Sequence, residues 1–487
     1  MFHPSQGQDR TSRRPMTEAV FLINTNIARP PVSPVGLEYV GQALIDAGVS
    51  VQVLDLSFET DWKASLQREL KHDEPLLVGL SVRNTDDCSF KSRKSFLPWI
   101  ADVVTEVRKL TRAPISLGGA GFSTMPEAVL KATQADGGVE GDGEEALIAL
   151  AKCLARGEEF IRLPNIVYWH KGNVIRNCRV DVDLRYLPVY RRRIFDNRKY
   201  EQLGAMVGIE TKRGCSQKCI FCADPVAKGK SVRLRPPEIV VKELQDLVDQ
   251  GVSWLHLCDS EFNLPLEHAK DVCRAIIQAG LGNKIRWYCY CSPTPFEQEL
   301  ANLMNRAGCA GINFGVDSLC DEQLHRLGRT HSSKDVNQLI GLLRREGLNY
   351  MFDLLIGGPG ETPETVRTTI DRVKEFDVPL VGMAIGVRVY AHTPLAKAIA
   401  DGSIKGGLHP GTKQAPHQPV FYLSPLLGSN PFASISELMP GDPRFLLLST
   451  PAETGSYNYV DDEVLCELIE QGARGAYWDI IRRSQRD

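Results

Sequence analysis

No stretch of the 487-residue chain reaches the ~18 to 20 consecutive apolar residues that crossing a bilayer requires, so the sequence carries no membrane-spanning helix. Charge of one sign is also scarce. The 57 Lys and Arg stand against 60 Asp and Glu, a formal balance of −3, which leaves no global electrostatic footprint for nucleic acid. The run Arg191 to Arg193 is a local exception and reads as a solvated linker face. Residues 1–16 lack the apolar core of a secretory signal and read as a disordered leader. The first strand-like run, Ala19 to Ile23, is not followed by G-x-G-x-x-G, which argues against a dinucleotide site. Ten of the 13 cysteines are scattered, as buried free thiols of a reducing cytoplasm would be rather than a disulfide framework.

The other three cysteines stand together. Cys215, Cys219 and Cys222 have C-x-x-x-C-x-x-C spacing and follow the apolar-leading run Met206 to Glu210. Three thiolates in one short loop can bind three corners of a cubane cluster and leave the fourth iron open for chemistry. Structural zinc is the obvious competitor, but it wants a second pair of ligands, and no C-x-x-C or histidine pair lies nearby. Cys289 and Cys291, two apart, read as core thiols on one face of a strand.

Around this loop the chain alternates strand-like runs with amphipathic segments. Residues 17–158 carry five such strands, which predicts a parallel, doubly wound sheet of Rossmann-like or flavodoxin-like class. Ligands of such sheets bind at the carboxyl ends of the strands. Here those ends hold Ser81, Arg83, Asn84, Gly118, Gly119, Gly141 and Glu144, small or hydrogen-bonding residues that let a large flat ligand approach the backbone. Residues 159–205 read as a linker with a hairpin around Lys171 and Gly172. Residues 206–402 give six strand–helix units, which predict a partial (β/α)6 barrel with its site at the C-terminal strand ends. Those ends carry Asp259, Glu261, Asp317, Ser318, Gly357, Gly358, Glu361 and Arg388, where helix capping is the simpler account of any one of them. Residues 403–487 read as a small C-terminal capping segment, with helical period from Asp462 to Arg483.

The cysteine spacing, with Phe221 just before the last cysteine, resembles the signature of the radical S-adenosylmethionine (radical SAM) superfamily. That resemblance implies a [4Fe-4S] cluster on Cys215, Cys219 and Cys222, with the amino and carboxylate groups of SAM on the open iron. It further implies that Phe221, Asp259, Glu261, Asp317, Ser318, Gly357, Gly358, Glu361 and Arg388 contact SAM. The order of features from Pro34 through Asp55, Gly118 to Phe122 and Gly141 to Glu144 resembles the cobalamin (B12) binding domain of a large radical SAM subclass. The D-x-H-x-x-G motif that supplies a histidine to cobalt in other B12 proteins is absent, since Leu56 and Ser57 follow Asp55. By this resemblance Ser81, Arg83, Asn84, Gly118, Gly119, Gly141 and Glu144 line the cobalamin, with Arg83 beneath the corrin.

The expectation is therefore a cobalamin-dependent radical SAM methyltransferase acting on an unactivated carbon or phosphorus of a small metabolite or peptide natural product. A non-methylating rearrangement, cyclisation or oxidation on the same cofactors is the alternative, and a cobalamin-binding or electron-transfer protein the next. An external electron donor is expected, with no nucleic acid or membrane partner and a cytoplasmic location.

Overall fold

In the computed structural model, residues 19–71, 74–411, 417–447 and 463–484 are described; the expected leader lies outside them. The first sheet holds β1 (Val20–Asn24), β2 (Val51–Asp55), β3 (Leu77–Ser81), β4 (Ile115–Gly118), β5 (Gly137–Val139), β6 (Ile166–His170) and β7 (Asn173–Arg176). Their order is β2-β1-β3-β4-β5-β6-β7. The pairs among β1 to β5 are parallel, as the alternation predicts, and the expected hairpin is β6 and β7, which extends the same sheet antiparallel on β5. Two apolar layers cover the faces, one around Phe21, Leu80 and Phe122 and the other around Leu22, Leu44 and Leu150.

Next along the chain come β8 (Val207–Ile209), the short pair β9 (Lys212–Arg213) and β10 (Arg233–Leu234), then β11 (Trp254–Leu257), β12 (Arg286–Cys291), β13 (Cys309–Asp317), β14 (Tyr350–Ile356) and β15 (Val381–Ile385). After β15 follow the small antiparallel strands β16 (Val387–Arg388), β17 (Leu408–His409) and β18 (Phe421–Tyr422), and finally β19 (Phe445–Leu447). The second large sheet is parallel throughout, in the order β19-β15-β14-β13-β12-β11-β8. Six of its strands are those expected of the partial barrel. The seventh, β19, comes from the C-terminal segment, which supplies a wall strand as well as a cap.

Local signals set the crossover helices. Ser332 and Asp335 form a reciprocal cap on helix Ser333–Glu346, which Gly347 ends at φ +64°. Thr362 caps helix Pro363–Glu375, whose first residue is a proline with no N–H to lose. Leu255, Trp287, Phe314 and Phe352 pack outward against these helices in one continuous core. At the N-terminal mouth of the barrel, Trp478 and Ile481 of helix Tyr477–Ser484 close against Tyr288, Met351 and Leu380. No helix among the described residues is long and apolar enough to cross a membrane.

The two sheets meet through buried charge. Arg192 is fully buried, not a solvated linker residue, and pairs with Glu38 at 2.6 Å and Glu243 at 2.8 Å. Arg235 holds the other oxygen of Glu243 at 2.6 Å, while Tyr39 and Tyr190 stack beside them with centroids 4.0 Å apart. Glu38 and Tyr39 belong to helix Val35–Asp46 of the first sheet, and Arg235 and Glu243 to the barrel.

Candidate functional site

The cysteine loop begins directly after β9. Gly214 sits at φ +91°, and a Cβ there would lie 2.1 Å from the Ser231 carbonyl oxygen, so the turn needs glycine. Backbone bonds from Cys215 N to Gly229 O (3.0 Å) and from Ile220 N to Leu327 O (3.1 Å) pin the loop on two sides. Cys215, Cys219 and Cys222 open on one cavity, whose other walls include Phe221, Asp224, Glu261 and Arg329. Burial pushes all three thiols up, Cys219 to about 11, so without a bound cation they remain protonated.

Among the described residues, no three His, Cys, Asp or Glu side chains gather about a single ion position. The thiols instead line a shared space, as ligands to separate corners of a cluster must. Glu261 adds the second test of fit. Its Oε2 is buried without a hydrogen-bond partner among the described residues, and burial raises the carboxyl to about 7. A soft three-sulfur donor set beside a carboxyl oxygen with no partner among the described residues suits an iron–sulfur cluster whose open iron takes an amino-acid group with N–H bonds to donate.

The acidic residues at the strand ends separate into distinct roles. Asp259 is spent on the backbone leading to the cysteine loop, where its Oδ1 accepts from Thr211 N at 2.8 Å and Lys212 N at 3.2 Å. Glu261, two residues on, is the one facing the cavity. Asp317, at φ +60°, accepts from Arg329 Nε, and the Arg329 guanidinium lies 5.8 Å from the Phe221 ring centroid. Sequence reasoning missed Arg329. Its signal was the adjacent Gly328, at φ +75° against the Lys218 carbonyl, which brings this turn onto the cysteine loop.

Five expected SAM contacts have other partners. Ser318 is fully buried, bonded to Thr369 Oγ1 at 2.9 Å on the helical side of the strand. Glu361 accepts from Gly357 N (2.5 Å) and Gly358 N (3.1 Å), bracing its own loop. Gly357 itself packs under Leu423, where a Cβ would lie 2.4 Å from that side chain. Gly358 abuts Gln323 and Leu327. Arg388 forks onto Asp86, from the loop after β3, at 2.8 to 3.2 Å.

At the ends of the first sheet, Ser81 Oγ donates to Asn24 Oδ1 at 3.2 Å. Gly118 and Gly119 begin a turn that presses on the backbone of the β3 exit, where a Cβ on Gly119 would lie 2.8 Å from Val82 O. Gly141, at φ +81°, donates its N–H to Ser123 Oγ at 2.9 Å and lies beneath the Arg179 guanidinium. Asn84 stays at the β3 exit beside Arg83, half-buried. Arg83 lies near enough to the barrel for its charge to lower the pKa of His256 and Cys258. Glu144 is not exposed at the strand end. It is buried in an ion pair with Arg213 at 2.6 Å, and Asp142 pairs with Arg213 at 3.2 Å and also with Arg233. These carboxylates tie the β5 end of the first sheet to the strand immediately before Cys215.

A mainly parallel sheet is thus joined through buried ion pairs to a barrel that carries a three-thiol cavity. Residues 23–151 match the B12 binding domain family, and residues 209–373 the Radical SAM superfamily. Over 445 residues the chain is 34% identical to tryptophan 2-C-methyltransferase of Streptomyces laurentii, covering 78% of this chain and 74% of that protein. Its fold superposes on the radical SAM methyltransferase TsrM of Kitasatospora setae, solved with tryptophan and a SAM analogue, at TM-score 0.90 and 32% identity, covering 96% and 98% of the two chains. A second TsrM structure, with cobalamin and a [4Fe-4S] cluster bound, matches at TM-score 0.88 and 30% identity over 97% and 98%. The chain belongs to the cobalamin-dependent radical SAM methyltransferase family, and its cofactors are cobalamin, a [4Fe-4S] cluster and SAM.

Proposed function

We propose that the substrate is tryptophan or a closely similar aromatic amino acid, methylated at a ring carbon. The observation that carries this reading is the match to a tryptophan 2-C-methyltransferase along most of both chains, in a protein whose barrel interior is walled by Tyr290 and His256. When bound, the cluster and the corrin supply an electron and a methyl carrier. The chain supplies position.

Cys215, Cys219 and Cys222 would hold the cluster and leave one iron for the amino-acid end of SAM. Glu261, whose Oε2 has no partner among the described residues, would accept from the N–H bonds of the SAM amino group in that cavity. Arg329, already oriented by Asp317, receives the carboxylate, and Phe221 closes the wall beneath it. Ser81, Arg83, Asn84, Gly118, Gly119 and Gly141 form the edge that takes the corrin, where short side chains and exposed backbone admit a flat ring. An external reductant completes the system.

The test is anaerobic reconstitution with iron, sulfide and hydroxocobalamin, followed by incubation with SAM, a reductant and L-tryptophan. The expected product is a monomethylated tryptophan, with one cobalt and about four irons per chain and loss of both iron and product in Cys219→Ala. Fully loaded enzyme that consumes SAM yet leaves L-tryptophan and its ring-substituted analogues unmethylated refutes the substrate assignment.

A further inference from the structure

Successive residues of a strand face opposite sides, so Gly311, Asn313 and Gly315 of β13 share its inner face, and Asp317, beyond a bulge, rejoins it by bonding Arg329. Their neighbours trace that face from one end of the barrel to the other. A Cβ on Gly311 would lie 2.9 Å from the Trp478 ring, and one on Gly315 would lie 3.0 Å from the Arg329 guanidinium and 3.6 Å from Glu261 Oε1. The stripe therefore runs from the C-terminal helix to the cysteine cavity. Asn313 lies midway. Trp478 Nε1, which can only donate, bonds Asn313 Oδ1 at 2.6 Å, and this orients the amide so that Nδ2 donates to Asp353 Oδ2 at 3.3 Å.

The same level of the barrel carries His256 and Tyr290, with ring centroids 5.7 Å apart. Tyr290 is 40% exposed although it lies within a strand of the barrel wall, so the interior is open at this height rather than packed as in a closed barrel. Burial, reinforced by the charges of Lys228 and Arg83, holds His256 down to about 4, so its ring is neutral at pH 7. Asp353 is thus an acidic group on an aromatic inner face between the C-terminal helix and the cysteine cavity.

We propose that Asp353 receives the α-ammonium of the substrate amino acid, and that Trp478 is a positioning residue that orients Asp353 through Asn313. The proposal rests on the tryptophan reading above and specifies how such a substrate is chosen. An aromatic ring lies against Tyr290 and His256, and a cationic nitrogen is held by a carboxylate whose direction is set by the C-terminal helix.

The experiment measures binding of three probes, L-tryptophan, tryptamine and indole-3-propionate, to the reconstituted holoenzyme by anaerobic calorimetry, for wild type, Asp353→Asn, Trp478→Phe and the double variant. Removing a charge-assisted hydrogen bond predicts about a tenfold or larger rise in Kd for L-tryptophan and tryptamine in Asp353→Asn. Indole-3-propionate, which lacks the amine, is unaffected. Trp478→Phe gives a smaller rise of the same selectivity, about threefold, and adds nothing in the double variant, because both act through one contact. Iron and cobalt content equal to wild type marks the variants as folded. Equal weakening of all three probes, or unchanged L-tryptophan binding in Asp353→Asn, overturns the assignment of Asp353. Wild-type enzyme that binds none of the probes overturns the tryptophan reading and this inference with it.

Discussion

Substituting Arg213 by Gln removes one guanidinium and leaves three carboxyl groups to be accounted for. Arg213 holds Glu144 at 2.6 Å, Glu210 at 2.7 Å and Asp142 at 3.2 Å, all of them buried or nearly so. Burial alone would lower the affinity of Arg213 for its proton, but Glu144, Glu210 and Asp142 outweigh it and raise the pKa well above the ordinary value. In the variant Asp142 keeps Arg233, whereas Glu144 retains only the distant Tyr190 hydroxyl at 3.4 Å. Breaking a buried pair while its partner stays charged costs roughly 3 to 5 kcal/mol. At roughly 2 to 3 °C per kcal/mol for a chain of several domains, Tm should fall by about 6 to 15 °C. Adding Glu144→Gln removes the stranded charge and should recover about half of the loss, a coupling of at least ~1 kcal/mol. Thermal unfolding of the apo-protein at neutral pH and moderate salt measures this for the two single variants and the double. Losses that simply add in the double variant, or an Arg213→Gln protein that melts with wild type, refute the claim that this pair joins the first sheet to the cysteine loop.

Gly214→Ala should cost at least about 2 kcal/mol and reduce iron incorporation, since the added methyl meets the Ser231 carbonyl at a backbone angle that disfavours a side chain; iron per chain after reconstitution checks it. Glu361 gives a pH signature. Burial pushes its carboxyl up to about 7, against the two N–H donors of Gly357 and Gly358, so the folded chain keeps a proton that the unfolded chain releases near 4.5. Stability from this group is full below the lower value and lost as pH rises through the upper one, a change of about 3 kcal/mol at ~1.4 kcal/mol per pH unit. Denaturant melts of wild type at about pH 5.5 and pH 8.5 should differ by about 2 kcal/mol, the share of that change lying above pH 5.5, and Glu361→Gln should flatten the difference.

Much of this architecture could be read from local pattern. The strand–helix alternation placed β1 to β5 and the six barrel strands, because burying one face of each element dictates its period. The cysteine loop was legible because its ligands are close in sequence. What depends on distant partners was not. The seventh barrel strand, Phe445–Leu447, is too short for its period to show. Arg192 looked like part of an exposed basic run, and only folding brings it between Glu38 and Glu243. Asp259 and Glu261 have the same chemistry two residues apart, and which one faces the cavity depends on whether the Thr211–Lys212 backbone claims the other. Ser318, Glu361 and Arg388 stand where a cofactor contact was expected, yet a helix bonds Ser318, a loop takes one oxygen of Glu361 and a neighbouring sheet holds Arg388.

The interface between the two cofactor-bearing units shows why buried ions stand where apolar residues would suffice for stability. Replacing a buried ion pair by well-packed apolar groups often leaves stability unchanged or improved, so stability alone does not explain Arg192, Arg213, Arg233 and Arg235. Apolar contact has no preferred direction, and two smooth surfaces can slide by an ångström at little cost. A forked guanidinium held by carboxylates from opposite sides cannot slide without stranding a charge. The Arg192–Glu38–Glu243 group locks the first sheet to the barrel at one place and the Arg213–Glu144–Asp142 group at another. Two directional locks fix rotation as well as separation. Methyl transfer between two cofactor sites and a third reactant tolerates misplacement of only a fraction of an ångström to an ångström before the rate collapses. On this argument the charges serve alignment. Conservative removal of both partners of one lock should therefore spare folding more than it spares coupling between SAM consumption and product.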